Sequence, residues 1–201
     1  MRRLQWFWHG IASSALASLS ACGAHPSNAP EIPNSVRLVT PPCSIAVLAA
    51  AQVTTGLPAE IRLGGAFGRS ALYLKFPKHS TAQGPPLHAY LALSARAGAP
   101  GDASSVTLEV WRVSSEWRPA ELSSWSDKPS LAPPYSRAEV KNSPAGDVRI
   151  DVTELVRFLA HNPERDFGMA LLASGGAGHG LSLATGMIGG WAPRLEVFYG
   201  R

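Results

Sequence analysis

Trp111, Trp117, Trp125 and Trp191 are the large aromatic side chains that could engage a ligand chemically. An indole face stacks on the C–H face of a pyranose ring and displaces water, so an exposed tryptophan makes a sugar platform. Trp191 stands in G-G-W-A-P, a loop pattern, and is the foremost exposed candidate. Trp111 lies off the Val106, Leu108, Val110 side of an alternating run, which turns it toward solvent. Tyr90 and Tyr73 each stand on the polar side of such a run and are expected on one outer face. Trp191, Trp111, Tyr90 and Tyr73 are therefore the candidate ligand-binding residues. Trp117 and Trp125 are expected to pack and hold the fold.

Other chemistry finds little footing. His79, His88, His161 and His179 lack the spacing of a metal site, and His161 suits the end of a helix, where the dipole favours it. Glu109, Glu116 and Glu121 could supply a glycosidase pair, but carboxylates on a β surface are ordinarily solvated. Asp102, Asp127, Asp147 and Asp166 fall in loops without the dense acidic spacing of a calcium loop. There is no G-x-S-x-G, H-E-x-x-H or phosphate-loop motif. Neither a catalytic residue nor a metal or other cofactor is expected.

The N-terminus points to export. Arg2 and Arg3 precede an apolar, Ala- and Ser-rich run from Leu4 to Leu19, too short for a stable membrane span. It ends in Leu19-Ser20-Ala21-Cys22, which resembles the bacterial lipobox. Residues 1–21 are read as a lipoprotein signal and Cys22 as the acylated residue. Each buried methylene of its acyl chains adds about 0.8 kcal/mol of membrane affinity. Gly23, where Asp would favour inner-membrane retention, directs the expectation to the outer membrane.

The formal charge is +4, which falls to +2 when Arg2 and Arg3 leave with the signal. With no cluster of Lys and Arg, no nucleic-acid partner is expected. Acylation of Cys22 leaves Cys43 as the lone cysteine, expected to be either buried beside the apolar run or available for an intermolecular bridge. Residues 22–42, rich in Pro, Asn, Ser and Ala, read as a flexible tether. Residues 43–201 read as one domain.

Within that domain short alternating runs recur between Gly and Pro turns. Ser44–Thr54, Ala-rich enough for a helix, is expected as the first strand because of its place in the domain. Further strands are expected at Ala59–Leu63, Arg69–Phe76, Leu87–Ala95, from Val106, at Asp147–Ile150, Phe167–Ala173, Leu181–Ala184 and Arg194–Tyr199. Pro129–Pro144, with four prolines, reads as irregular. Val152–His161 reads as a helix capped by Asp151 or Thr153, with Leu155, Val156 and Leu159 as its stripe. The fold class expected is all-β: an antiparallel β-sandwich, jelly-roll-like, with one short helix.

Four blocks carry a family resemblance: A-E-I-R-L-G-G-A-F-G-R-S-A-L-Y-L-K-F, V-T-L-E-V-W-R-V-S-S-E-W with Leu122, Trp125 and Lys128-Pro129 after it, D-V-R-I-D-V-T-E-L-V-R-F-L, and the closing runs F-G-M-A-L-L-A and P-R-L-E-V-F-Y. From about Ser44 to Tyr199 the chain resembles the DNRLRE domain, a β-sandwich of secreted and surface proteins similar to carbohydrate-binding modules. The family's naming six-residue run is absent, and an Ala-rich run replaces its usual polar opening strand. The resemblance implies a non-catalytic domain of a kind often attached to polysaccharide-acting enzymes, and the first expectation is a lipid-anchored module that binds polysaccharide or cell-surface glycan through an exposed aromatic and polar face. The other expectation is a structural or assembly lipoprotein that packs on another envelope protein.

Overall fold

Alternation accounts for most of the architecture. In V-T-L-E-V, residues Val106, Leu108 and Val110 are buried, while Thr107 and Glu109 are part-exposed, which is the two-residue period of a strand with one face in a core. The computed structural model describes residues 30–49, 60–64, 70–78, 84–95, 105–141, 146–174, 180–184 and 193–201. These form strands β1 (Ser35–Thr40), β2 (Ser44–Ala49), β3 (Glu60–Leu63), β4 (Ser70–Lys75), β5 (Pro86–Ala95), β6 (Ser105–Val113), β7 (Leu131–Lys141) and β8 (Gly146–Asp151), helix α1 (Thr153–His161), and strands β9 (Met169–Ser174), β10 (Leu181–Ala184) and β11 (Arg194–Gly200).

Two antiparallel sheets make a β-sandwich. The first runs β1-β11-β5-β10-β3 with β8 on β5; the second runs β2-β4-β9-β6-β7. Tyr90 pairs with both Glu196 and Asp151, and Ser94 with both Ala184 and Asp147, so β10 and β11 share one edge of β5 while β8 holds the other. β10 and β11 thus pair with successive stretches of the same edge of β5. The chain passes repeatedly from sheet to sheet, as in a jelly roll. Leu72, Leu74, Leu91, Leu108 and Leu171 meet between the sheets with no exposed surface. Each such side chain contributes about 1.5–3 kcal/mol by leaving water.

α1 takes over where β8 ends. The N–H of Val152 donates to Ala89 O at 2.9 Å, and the N–H of Ala89 donates to Thr153 Oγ1 at 2.9 Å. Further along, Arg157 donates to the carbonyls of Pro86 (2.9 Å) and Leu87 (2.8 Å). Side chains of α1 thereby satisfy an edge of β5 that no strand covers among the described residues, and Leu155, Val156 and Leu159 face the core. The helix starts at Thr153 rather than Val152. The N-cap is Val152, between the two residues expected there, and it makes no side-chain cap; Asp151 Oδ1 accepts from the Thr153 N–H (2.9 Å) and hydroxyl (2.6 Å).

Three other expectations change. β1 lies inside the segment read as a tether to residue 42; it pairs with β11, from Ser35 opposite Gly200 to Thr40 opposite Leu195. The Ser44 strand is accordingly the second. Pro129–Pro144 is not irregular throughout, because β7 occupies Leu131–Lys141. Its register passes from Trp111↔Tyr135 to Arg112↔Ala132, so Pro133 and Pro134 bulge out of the ladder on an edge strand, where a missing N–H is tolerated. Cys43 is exposed, since it sits in the turn between β1 and β2 rather than in the apolar run that follows.

Candidate functional site

Trp111 and Tyr135 form the open aromatic feature of the second sheet. They are cross-strand partners on β6 and β7, stacked with ring centroids 4.2 Å apart and planes 12° apart. Tyr135 keeps 52% of its surface in solvent. The indole N–H of Trp111 donates to Glu109 Oε2 at 3.0 Å, which fixes the ring's orientation. The same outward face carries two further cross-strand pairs, Glu109 opposite Arg137 and Thr107 opposite Glu139. Arg137 and Glu139 are exposed, and among the described residues neither has a hydrogen-bond or ion-pair partner. Four residues of strand rise about 14 Å, so this strip has an aromatic end and a charged end.

Tyr73 belongs elsewhere. It is buried, and it lies on the second sheet while Tyr90 lies on the first, so they share no face. The reason is the segment from Ser114 to Ser130, which folds back over the outside of β4 and β9. Trp117 is its pin. Its indole N–H donates to Phe167 O at 2.7 Å, its ring lies 5.7 Å from that of Tyr73, and its carbonyl accepts from Lys75 Nζ at 2.7 Å. A second small core results from Ala46, Leu48, Ala71, Tyr73, Val113 and Trp117. Burial pushes the Tyr73 hydroxyl up to about 12. Trp125 packs partly buried against this cluster with Lys128 over its ring at 5.6 Å. Asp127 closes the turn, accepting from the N–H and hydroxyl of both Ser123 and Ser124; those bonds hold its carboxyl below the usual range.

Tyr90 stands on the outer face of the first sheet. His88 stacks on it at 6.4 Å, and Phe198 meets it edge-on at 6.0 Å. Next along β5 are Ala92 and Ser94, whose small side chains leave a trough. Arg149 from β8 and Arg194 from β11 fold into it from either side and meet Glu196 and Asp147. Arg37 on β1 adds a third guanidinium at 2.7 Å from Glu196 Oε1. Burial alone would raise Glu196, but the hydrogen bonds and charges of Arg149 and Arg37 outweigh it and hold the carboxyl below its ordinary range. For Tyr90, burial first and the charge of Asp151 second push the hydroxyl up.

Trp191, Cys22, Asp102, His79 and His179 lie outside the described residues. Asp147 and Asp166 are committed to neighbours: the first to Ser94 and two arginines, the second to the Gly168 N–H. A separate groove between α1 and the sandwich is lined by Phe76, Val156, Leu159 and Met169, with Lys78 and Asp166 as its charged members. Its described lining includes none of Trp191, Trp111, Tyr90 and Tyr73, the residues expected to bind a ligand.

Tyr135, Arg137 and Glu139 were hidden by the neighbouring prolines, although Y-S-R-A-E-V carries the alternation that would have revealed them. The ion network had no local signal, because its members come from β1, β8 and β11. No protein-family model matches the chain, and no curated protein matches it. The likeness to DNRLRE domains therefore rests on the four sequence blocks alone.

Proposed function

We propose that this chain is a non-catalytic, lipid-anchored protein of the cell envelope, held at the outer membrane through Cys22, that binds polysaccharide along the outer face of β6 and β7. The observation that carries the reading is the stacked Trp111–Tyr135 pair, with Tyr135 half open to solvent, continued by exposed Arg137 and Glu139, which have no hydrogen-bond or ion-pair partner among the described residues. Aromatic faces take the C–H side of a sugar, and carboxylate and guanidinium groups take its hydroxyls. Binding of the full chain to a glycan array and to insoluble polysaccharides, beside Trp111→Ala and Tyr135→Ala, tests it. Loss of binding in both variants supports the strip. Binding that survives both, or a folded chain that retains nothing, rejects it.

One observation favours the second reading, assembly on another envelope protein. β1 is an edge strand that pairs with β11 alone among the described residues, and Val36, Leu38 and Val39 on it are 50%, 37% and 45% exposed. An apolar open edge is a template for a partner strand. Crosslinking in the native envelope from a photoreactive residue at Val36 would capture that neighbour. A crosslink-free Val36 would count against it.

A further inference from the structure

We propose that the ligand of the β6–β7 strip is an uncharged sugar, held at the open edge of β7 on the outer ring face of Tyr135, with Trp111 as a positioning residue behind that ring. This rests on the polysaccharide reading and says which ring, which edge and which class of sugar serve it.

The stack decides which aromatic face is free. Two rings with centroids 4.2 Å apart and planes 12° apart cover each other's facing sides, so each keeps one face. The two residues are direct cross-strand partners, so their rings stand side by side across the strands rather than lying flat on the sheet. On its far side Trp111 has β9, where Ala170 is its partner and packs in one cluster with Trp117. Tyr135 has no strand on its far side among the described residues, because β7 is the last of its sheet. The open face is therefore that of Tyr135, in keeping with its 52% exposure. Trp111, tied through its indole N–H to Glu109, backs that ring.

The backbone beside Tyr135 is open as well. The Val113 N–H donates to Gly168 O and the Ser114 N–H to Ser130 O, so successive residues of β6 serve β9 and β7 alternately. Counting back along β6, Val110, Leu108 and Val106 form the hydrogen-bonded pairs with Ser136, Ala138 and Val140. Tyr135, Arg137 and Glu139 then turn their N–H and C=O groups to the outside of the sheet, where no described residue takes them.

This edge offers donors and acceptors together: backbone N–H and C=O groups, the exposed Arg137 guanidinium and the exposed Glu139 carboxylate. A sugar hydroxyl donates and accepts at once, so it can use both kinds, whereas a carboxylate uses only the donors and an ammonium only the acceptors. Glu109, Arg137 and Glu139 carry both signs along the strip, which sets up no field for a polyanion. A partner β-strand would seek the same backbone groups, but charged side chains and a proline bulge are what keep an edge from such pairing, and β7 has both.

The test is calorimetric titration of the full chain in detergent with hexasaccharides. Glucose and N-acetylglucosamine oligomers are the uncharged probes, a glucosamine oligomer the cationic one and an oligogalacturonate the anionic one. An uncharged oligomer is expected to bind at least tenfold tighter than either charged one. Tyr135→Ala should weaken it at least tenfold, and Tyr135→Trp, with a wider face, should tighten it. Trp111→Ala should weaken it at least fivefold, while Trp111→Phe, which still backs Tyr135, should bind like the parent. A charged oligomer that binds as tightly or tighter, and is still lost in Trp111→Ala and Tyr135→Ala, would overturn the proposal and leave the polysaccharide reading standing. A folded Trp111→Phe as weak as Trp111→Ala would do the same, for the indole itself would then carry the sugar. Binding of none of the probes overturns the proposal, and the reading beneath it falls too if the glycan array is blank. A protein captured in the native envelope by a photoreactive residue at Arg137 would then give the edge to a partner strand.

Discussion

Arg149 reaches across Ala92 to Glu196, placing its Nε 3.1 Å from Oε2 of a carboxylate that has no exposed surface. A methyl group at position 92 is what permits the crossing. A larger side chain would stand between the two charges, which belong to strands on opposite edges of β5.

Arg149→Ala is expected to destabilise the fold by about 2–3 kcal/mol, because it strips partners from a buried carboxylate while Arg37 and Arg194 still hold part of its charge. Urea denaturation gives the number. A loss under about 0.5 kcal/mol would mean the network contributes no more than an ordinary surface ion pair.

Acid should act through the same residue. The folded-state pKa of Glu196 is lowered, so its contribution is present above the unfolded value and is lost as pH falls through the folded one. The unfolded value is about 4.3, which puts the decline below about pH 5. Urea midpoints measured from pH 7 to pH 3 should fall more steeply for the parent than for Glu196→Gln. Parallel curves would show that some other carboxylate governs acid stability.

Trp117→Ala is expected to remove about 3–5 kcal/mol, the range for deleting a buried aromatic ring. It should also release the Ser114–Ser130 segment from β4 and β9. The accompanying sign is spectroscopic: the Tyr73 hydroxyl, now at about 12, should titrate nearer its ordinary value. A destabilised protein in which Tyr73 still titrates high would mean that the Trp117 pin is not what buries it.

A chain that starts at Ser44 should melt at least about 10 °C below one that starts at Pro30, since it lacks β1, bares the edge of β11 and takes Arg37 away from Glu196. Equal melting temperatures would show β1 to be dispensable and restore the tether reading to residue 42.

The sequence by itself determined the fold class and most strands. Val106, Leu108 and Val110 announce β6, Leu72 and Leu74 announce β4, and the stripe Leu155, Val156, Leu159 announces α1, because strand alternation and helix periodicity are local rules legible within a few residues. Only the tertiary structure decided which side of a strand is wet. Tyr73 alternates as an outward residue yet is buried, because Trp117, forty-four positions away, covers it. β1 looked like tether because its partner β11 is the last strand of the chain. Likewise the Glu196 network joins β1, β8 and β11. Burial of an outer face and pairing of distant charges depend on contacts made across the whole chain, and no short window of residues contains them.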